Sequence, residues 1–353
     1  MQKKNCNKIQ QTMSQKILLN QCRYPMPLGL LNGKYLVEKH FNSEIFRNLF
    51  VGTFHDNDRK QFIFIKFKHS DCLAEQKSQR WEYHIYKLLF RQETGSLRVP
   101  RPFYFGPLMC YEMIILELLG PNLNDLWIRC GRHFSIRTLS QLGYQLVYLM
   151  KYLHDNGIVY QNIRPEHFLY GPSGLDKWTW LYVVDLKHSK FWCPTQQNGQ
   201  PLLNQHIQMK KNSNPLIKIG TPPRFMSINA HKGLEQTRRD DLESIGYMLI
   251  YLYRGGELPW IDLESLIDPY EKHSKMADYK MRYCSQICHN MLPEFEQFLI
   301  EVKALGFEDQ PDYQSLAALF LNVQQQIGFI EMDDLYDWDC FHQPLHPRFK
   351  NIV

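Results

Sequence analysis

The change of hydrophobic period at Gly120-Pro121 limits what this chain can become. Before it, "KYLVEKHF", "RNLFVGTF" and "QFIFIKFK" alternate aromatic or branched residues with polar ones. That period of two is the mark of strands with one buried face. "HDNDRK" reads as a turn, "QRWEYHIYKLLF" has helical spacing, and "FYFGPLMCYEMIILELLG" returns to strands. After the break, "FSIRTLSQLGYQLVYLMKYLHDNG" places apolar residues at helical spacing between a Ser135 cap and a stop at Gly157. "TRRDDLESIGYMLIYLYRG", "LPEFEQFLIEVKALGF" and "DYQSLAALFLNVQQQIGF" are further helices, and "WTWLYVVD" is a short strand. Strands followed by helices, without internal repeats, predict an α+β chain. A small β-rich lobe would cover about 34–117 and a larger α-helical lobe about 121–340, with a connector near 117–121. A cleft between two such lobes is a natural seat for a small ligand.

Composition bounds the function classes. At 44% hydrophobic and 22% charged, the 353 residues can bury a sizeable core. The net charge of +5 is concentrated at the front. Residues 1–37 carry Lys3, Lys4, Lys8, Lys16, Arg23 and Lys34 and no acid, which leaves 35 basic and 36 acidic residues in the rest. No nucleic-acid or membrane partner is therefore expected for the body of the chain. Residues 1–33 read as a basic polar tail and 341–353 as a C-terminal tail. The N-terminal stretch lacks the apolar core of a secretory signal, and the uncharged run Gly246–Tyr253 is too short to cross a bilayer. Nine scattered cysteines, an odd number, form no disulfide framework and point to a reducing compartment, cytoplasmic and/or nuclear. Cys284 and Cys288 have no second half at zinc spacing and read as helix packing. A monomer is expected.

Three segments carry a family resemblance: "SINAHKGLEQTRRDDLESIGYMLIYLYRGGELPW", "ELLGPNLNDLW" and "FEDQPDYQSLAALF". With them the chain resembles the casein kinase 1 family of eukaryotic protein kinases from about Tyr35 to Trp338. The resemblance implies a two-lobed protein-kinase-like fold and ATP with Mg²⁺ as possible cofactors. It also implies roles for particular residues. Lys66 would hold nucleotide phosphates and Glu82 would fix its rotamer, or the two would form a purely structural ion pair. Lys68 is a register alternative to Lys66. Leu116 falls at the gatekeeper, and Glu117, Leu118 and Leu119 would offer backbone groups to an adenine. Asp185 matches the metal-chelating aspartate, Arg164 the cation facing the transferring phosphoryl group, and Arg224 part of a basic anion and substrate site. Asp241 matches the residue that braces the catalytic-loop backbone.

The chain departs from that pattern where chemistry is done. Asn42, Glu44 and Arg47 stand at the phosphate-loop glycines, where side chains obstruct close backbone approach. The segment can equally be an ordinary hairpin. Asn162 occupies the base position, and a carboxamide cannot take a hydroxyl proton. Gln161 removes the arginine that grips a phosphorylated loop. His167 replaces a metal-binding asparagine, and imidazole suits magnesium poorly. Lys187 replaces the glycine two residues beyond Asp185, either reaching the carboxylate or pointing to solvent. Glu264 and Asp268 stand at lysine positions and would repel a phosphorylated substrate. These residues predict a catalytically impaired pseudokinase that binds protein partners, with weak or absent ATP and Mg²⁺ binding. A residually active serine/threonine kinase and a nucleotide-sensing switch without turnover remain as alternatives.

Overall fold

The computed structural model describes residues 29–31, 33–40, 49–56, 59–69, 73–91, 98–108, 111–171, 180–196, 199–208, 220–328 and 335–340. The chain divides into two compact units. One takes the residues up to Tyr83 together with Arg101–Leu118; the other takes His84–Pro100 and the chain from Leu119 onward.

The first unit is built on an antiparallel sheet. Its strands are β1 (Gly29–Leu31), β2 (Tyr35–His40), β3 (Leu49–Asp56), β4 (Arg59–His69), β5 (Pro102–Leu108) and β6 (Tyr111–Glu117), in the order β1-β2-β3-β4-β6-β5. Alternation decides which face is buried. Ile63, Ile65 and Phe67 of β4 point one way and join Val37, Phe50, Phe54, Met113 and Ile115 in one apolar cluster. Edge-to-face contacts such as Phe54 on Phe103, at 4.8 Å, tie the aromatic side chains together. Residues 29–31, expected as the end of the basic polar tail, instead form β1. Gly33, at φ 66°, makes the tight turn that lays Leu31 against Tyr35. Helix α1 (Leu73–Arg91) contributes its residues through Tyr83 to this unit and the rest to the other.

The second unit is helical. After α2 (Leu123–Arg129) comes the long α3 (Ile136–Asp155), whose N-cap Ser135 accepts a hydrogen bond from the Thr138 amide. Two short antiparallel pairs position the loops that matter. Strand β7 (Ile158–Val159) pairs with β10 (Lys190–Phe191), and β8 (Phe168–Tyr170) with β9 (Leu181–Val183). Helices α4 (Ile228–His231), α5 (Arg238–Tyr253), α6 (Pro269–Arg282), α7 (Cys284–Ile287), α8 (Pro293–Ala304) and α9 (Tyr313–Gln326) follow. Thr237 and Asp240 form a capping box that starts α5. Cys284 opens α7 and Cys288 caps its end; burial pushes the Cys288 thiol up to about 12, which favours packing over metal ligation. Among the described residues, no helix is long and apolar enough to cross a membrane.

Candidate functional site

In the first unit, β4 places Lys66 opposite Leu49 on one side and Ile114 on the other, pointing away from the apolar cluster. Its ammonium lies 3.2 and 2.9 Å from the two carboxylate oxygens of Glu82 on α1. Glu82 is buried, so this ion pair is shielded from screening. Gln79, one turn earlier, donates to the Lys66 carbonyl at 3.3 Å. At the end of β6 the Glu117 amide donates to the Arg101 carbonyl, its carboxylate accepts from the Arg101 amide, and the Leu118 amide donates to the Phe62 carbonyl. Leu119 begins the second unit and is buried. Asn42, Glu44 and Arg47 lie outside the described residues.

In the second unit, the loop after β7 is fixed from beneath by Asp241 in the first turn of α5. One carboxylate oxygen accepts from the Gln161 amide at 2.9 Å. The other accepts from the Tyr160 amide at 2.7 Å and meets His154 Nε2 at 3.1 Å. This clamp holds Gln161 at φ 58°, a left-handed conformation that a side chain adopts at a cost. The next residue, Asn162, is 1% exposed. Its Nδ2 donates to the carbonyl of Asp185 at 2.9 Å and to Asp185 Oδ2 at 3.1 Å. Both neighbours are acceptors, which fixes the orientation of the amide. Gly220 passes so close to the other side that a Cβ there would sit 2.5 Å from Asn162 Oδ1.

Asp185 is also left-handed, at φ 60°, and the hydroxyl of Tyr86 accepts from its amide at 3.0 Å. Lys187 reaches this carboxylate: Nζ lies 2.6 Å from Oδ2. Of the two directions open to it, the lysine takes the inward one. His167, on the 3-10 turn Pro165–His167, lies with Nε2 3.5 Å from the same oxygen. Its Nδ1 is 3.1 Å from both the Asn162 carbonyl and the Tyr160 hydroxyl. The Tyr160 hydroxyl donates to the Val184 carbonyl, so Nδ1 carries the proton toward these two oxygens. Burial lowers the His167 pKa to about 3, outweighing the pull of Asp185, so the imidazole is neutral near pH 7.

Arg164 does not stand free: its guanidinium donates to the carbonyl of Gly220. Thr221, which sequence reasoning did not single out, accepts from the Ile163 amide at 3.0 Å. Only its place in "GTPPRFMSIN" hinted at it. Glu264 was expected to be a repelling charge, but it is bound to Arg224. Its Oε1 accepts from Nε at 3.0 Å and its Oε2 from Nη2 at 2.7 Å; the Arg224 amide adds a third bond at 3.1 Å. The carboxylate therefore neutralises Arg224. Asp268 caps α6, accepting from the Tyr270 amide at 2.9 Å. Asn162, His167, Asp185 and Lys187 come together in one cluster, whereas Arg224 belongs to a separate ion pair.

No family model matches the chain. Among curated proteins, Casein kinase I homolog 2 of Schizosaccharomyces pombe is 34% identical over 279 residues, 79% of this chain and 60% of that protein. Casein kinase I homolog 3 of the same organism is 34% identical over 306 residues, 86% of this chain and 65% of that protein. Casein kinase I homolog 1 of Saccharomyces cerevisiae is 33% identical over 305 residues, 86% and 53%. The chain thus spans less than two thirds of the length of these relatives. Such relatives carry the two-lobed protein-kinase-like fold, and the α+β architecture described above is of that kind.

Proposed function

Taking the chain as a homologue of the casein kinase I proteins, we propose that it is a catalytically impaired kinase-like protein that acts by binding protein partners. The observation that carries this reading is the 2.6 Å contact of Lys187 with Asp185. A fixed ammonium already supplies the positive charge that a metal ion would bring to that carboxylate. The remaining donors fit magnesium poorly, since it wants a near-octahedral set of oxygens and His167 offers a neutral imidazole. Asn162 adds to the argument. Its amide nitrogen is turned toward Asp185, and a carboxamide has no site to receive the proton of an attacking hydroxyl.

ATP with Mg²⁺ would supply the transferable phosphoryl group and its charge neutralisation in an active relative. In this chain Lys66 and Glu82 would be the residues to hold nucleotide. Their ion pair is formed, which favours a second reading: a nucleotide-sensing protein that binds without turnover. The Arg224–Glu264 pair bears on partner class. With its fork filled by an internal carboxylate, Arg224 is not available to read acidic or phosphorylated segments.

Calorimetric titration with ATP, with and without Mg²⁺ or Mn²⁺, tests the reading, together with radiolabelled phosphate transfer to casein. Weak nucleotide binding that metals do not strengthen, and no transfer, is the expected result. Tight metal-dependent binding without transfer would favour the sensor. Transfer that Lys66→Met abolishes would make the protein an active kinase.

A further inference from the structure

A second titratable cluster lies between α4 and α6, separate from the loop around Asp185. At its base is Lys280, fully buried. Its Nζ donates to the carbonyls of Pro223 and Met226 at 3.0 and 2.6 Å, and lies 3.0 Å from Nε2 of His231. The rings of Tyr247 and Trp260 stand 4.6 and 5.0 Å from the ammonium, a cation–π floor. The other nitrogen of His231, Nδ1, is 2.7 Å from Nδ1 of His273. His273 is only partly buried, and it lines an open groove of about 520 Å³ with Leu234, Tyr270 and Ala277.

Hydrogen-bond polarity limits how many protons this row can hold. An ammonium is donor-only, so a charged Lys280 makes Nε2 of His231 an acceptor. Nδ1 of His231 then carries the hydrogen, and Nδ1 of His273 must accept it. With Lys280 neutral the whole row reverses and every link is again satisfied, the charge now residing on His273. Either arrangement contains at most one excess proton. A second one sets N–H against N–H across 2.7 Å.

We propose that uptake of this second proton at His273 breaks its bond to His231 and releases α6 from α4, so that the contact is a proton-operated latch beside the groove. The charged and titratable neighbours are consistent with such a device. Lys232 caps the end of α4; Lys272 and Asp278 share α6 with His273; burial lowers the proton affinity of Lys280, Glu243 from α5 and Glu264 from the 3-10 turn Ile261–Ser265 raise it, and Lys303 from α8 lowers it further. Burial, then Lys272 and Lys280, lower the proton affinity of His273 from its ordinary value near 6.5. In the unfolded chain it would titrate at about 6.5. The latch therefore contributes fully above about pH 6.5, and its contribution is lost as the pH falls below that, because the open form takes up the proton first. The segment that Lys280 anchors, Pro223 to Met226, contains Arg224, so opening would also loosen the Arg224–Glu264 pair.

Hydrogen exchange of the full-length protein at about pH 7.5 and about pH 5, corrected for intrinsic rates, reads the latch directly. Amides of α4 and α6 should lose up to about tenfold of their protection at the lower pH, the effect of one hydrogen bond between neutral imidazoles. His273→Gln offers a carbonyl that accepts from His231 and does not titrate, so it should keep its protection at both values. NMR titration of the wild-type imidazoles supplies a readout independent of any variant: the exchange midpoint must coincide with the titration of His273. Equal protection of the wild type at both pH values would overturn the proposal. So would the same pH response in His273→Gln, or a His273 titration that does not track the exchange.

Discussion

Asp185 is buried and has Lys187 on one oxygen, so removing that lysine leaves a carboxylate short of positive charge. Lys187→Ala is expected to lower the unfolding free energy by about 1–2 kcal/mol, the range for a lost bond to a charged group whose partner is partly solvated. Millimolar Mn²⁺ should restore part of that loss in the variant and do little for the wild type; urea denaturation with and without the metal would measure both. An equal response of the two proteins would show that Lys187 does not stand in for a cation. Asp241 presents a different case, because it gathers two amides and an imidazole on one carboxylate. Asp241→Ala strands those donors inside the protein and should cost about 1–3 kcal/mol. Asp241→Asn keeps one carbonyl acceptor and should cost less. A melting temperature unchanged by the alanine substitution would contradict the bracing role.

At the scale of elements, the segment from the 3-10 turn Ile261–Ser265 through α6 packs against α4 and carries Glu264, Asp268 and His273. Its start is marked by Asp268 and Pro269, an N-cap followed by proline at the first helical position. That signal stands in "IDPYEK", and α6 is among the helices, with α2 and α4, that helical spacing did not mark. The turn before it delivers Glu264 to Arg224. Glu264→Ala should free the guanidinium and the Arg224 amide together, and raise affinity for inorganic phosphate or an acidic peptide by about tenfold or more. Isothermal titration of wild type, Glu264→Ala and Glu264→Ala/Arg224→Ala separates the outcomes. Gain in the single variant that disappears in the double one is expected; no gain would mean that Arg224 is not an anion site even when open.

For the whole molecule, the decisive experiment is repair. Asn162→Asp with His167→Asn restores a base and an oxygen ligand at the two most altered positions. The double variant is nevertheless expected to remain nearly inactive toward casein, because Lys187 still occupies Asp185 and the side chains at positions 42, 44 and 47 still stand where the resemblance implies glycine. Transfer should appear only after glycines are added at 187, 42, 44 and 47. Phosphoryl transfer depends mainly on positioning and charge, so one defect can be bypassed and several together cannot. Strong transfer by the double variant alone would mean that the phosphate loop matters less than its sequence suggests.

What the sequence determined by itself was largely local or additive. Alternation in "QFIFIKFK" is enough to put Ile63, Ile65 and Phe67 on one face and Lys66 on the other, since successive side chains of a strand must oppose each other. Helical spacing placed α3, α5, α8 and α9 for the same kind of reason, and residue chemistry alone showed that Asn162 is no base. The tertiary structure decided which side chains meet. Lys187 faced two open directions, and the left-handed turn at Asp185 brought it inward. Glu264 lies 40 positions from Arg224, and His273 lies 42 from His231. Periodicity says nothing about such separations, because long-range contacts follow from how finished elements pack. Whether a charged side chain repels, pairs or passes a proton is settled only by what the packing sets beside it.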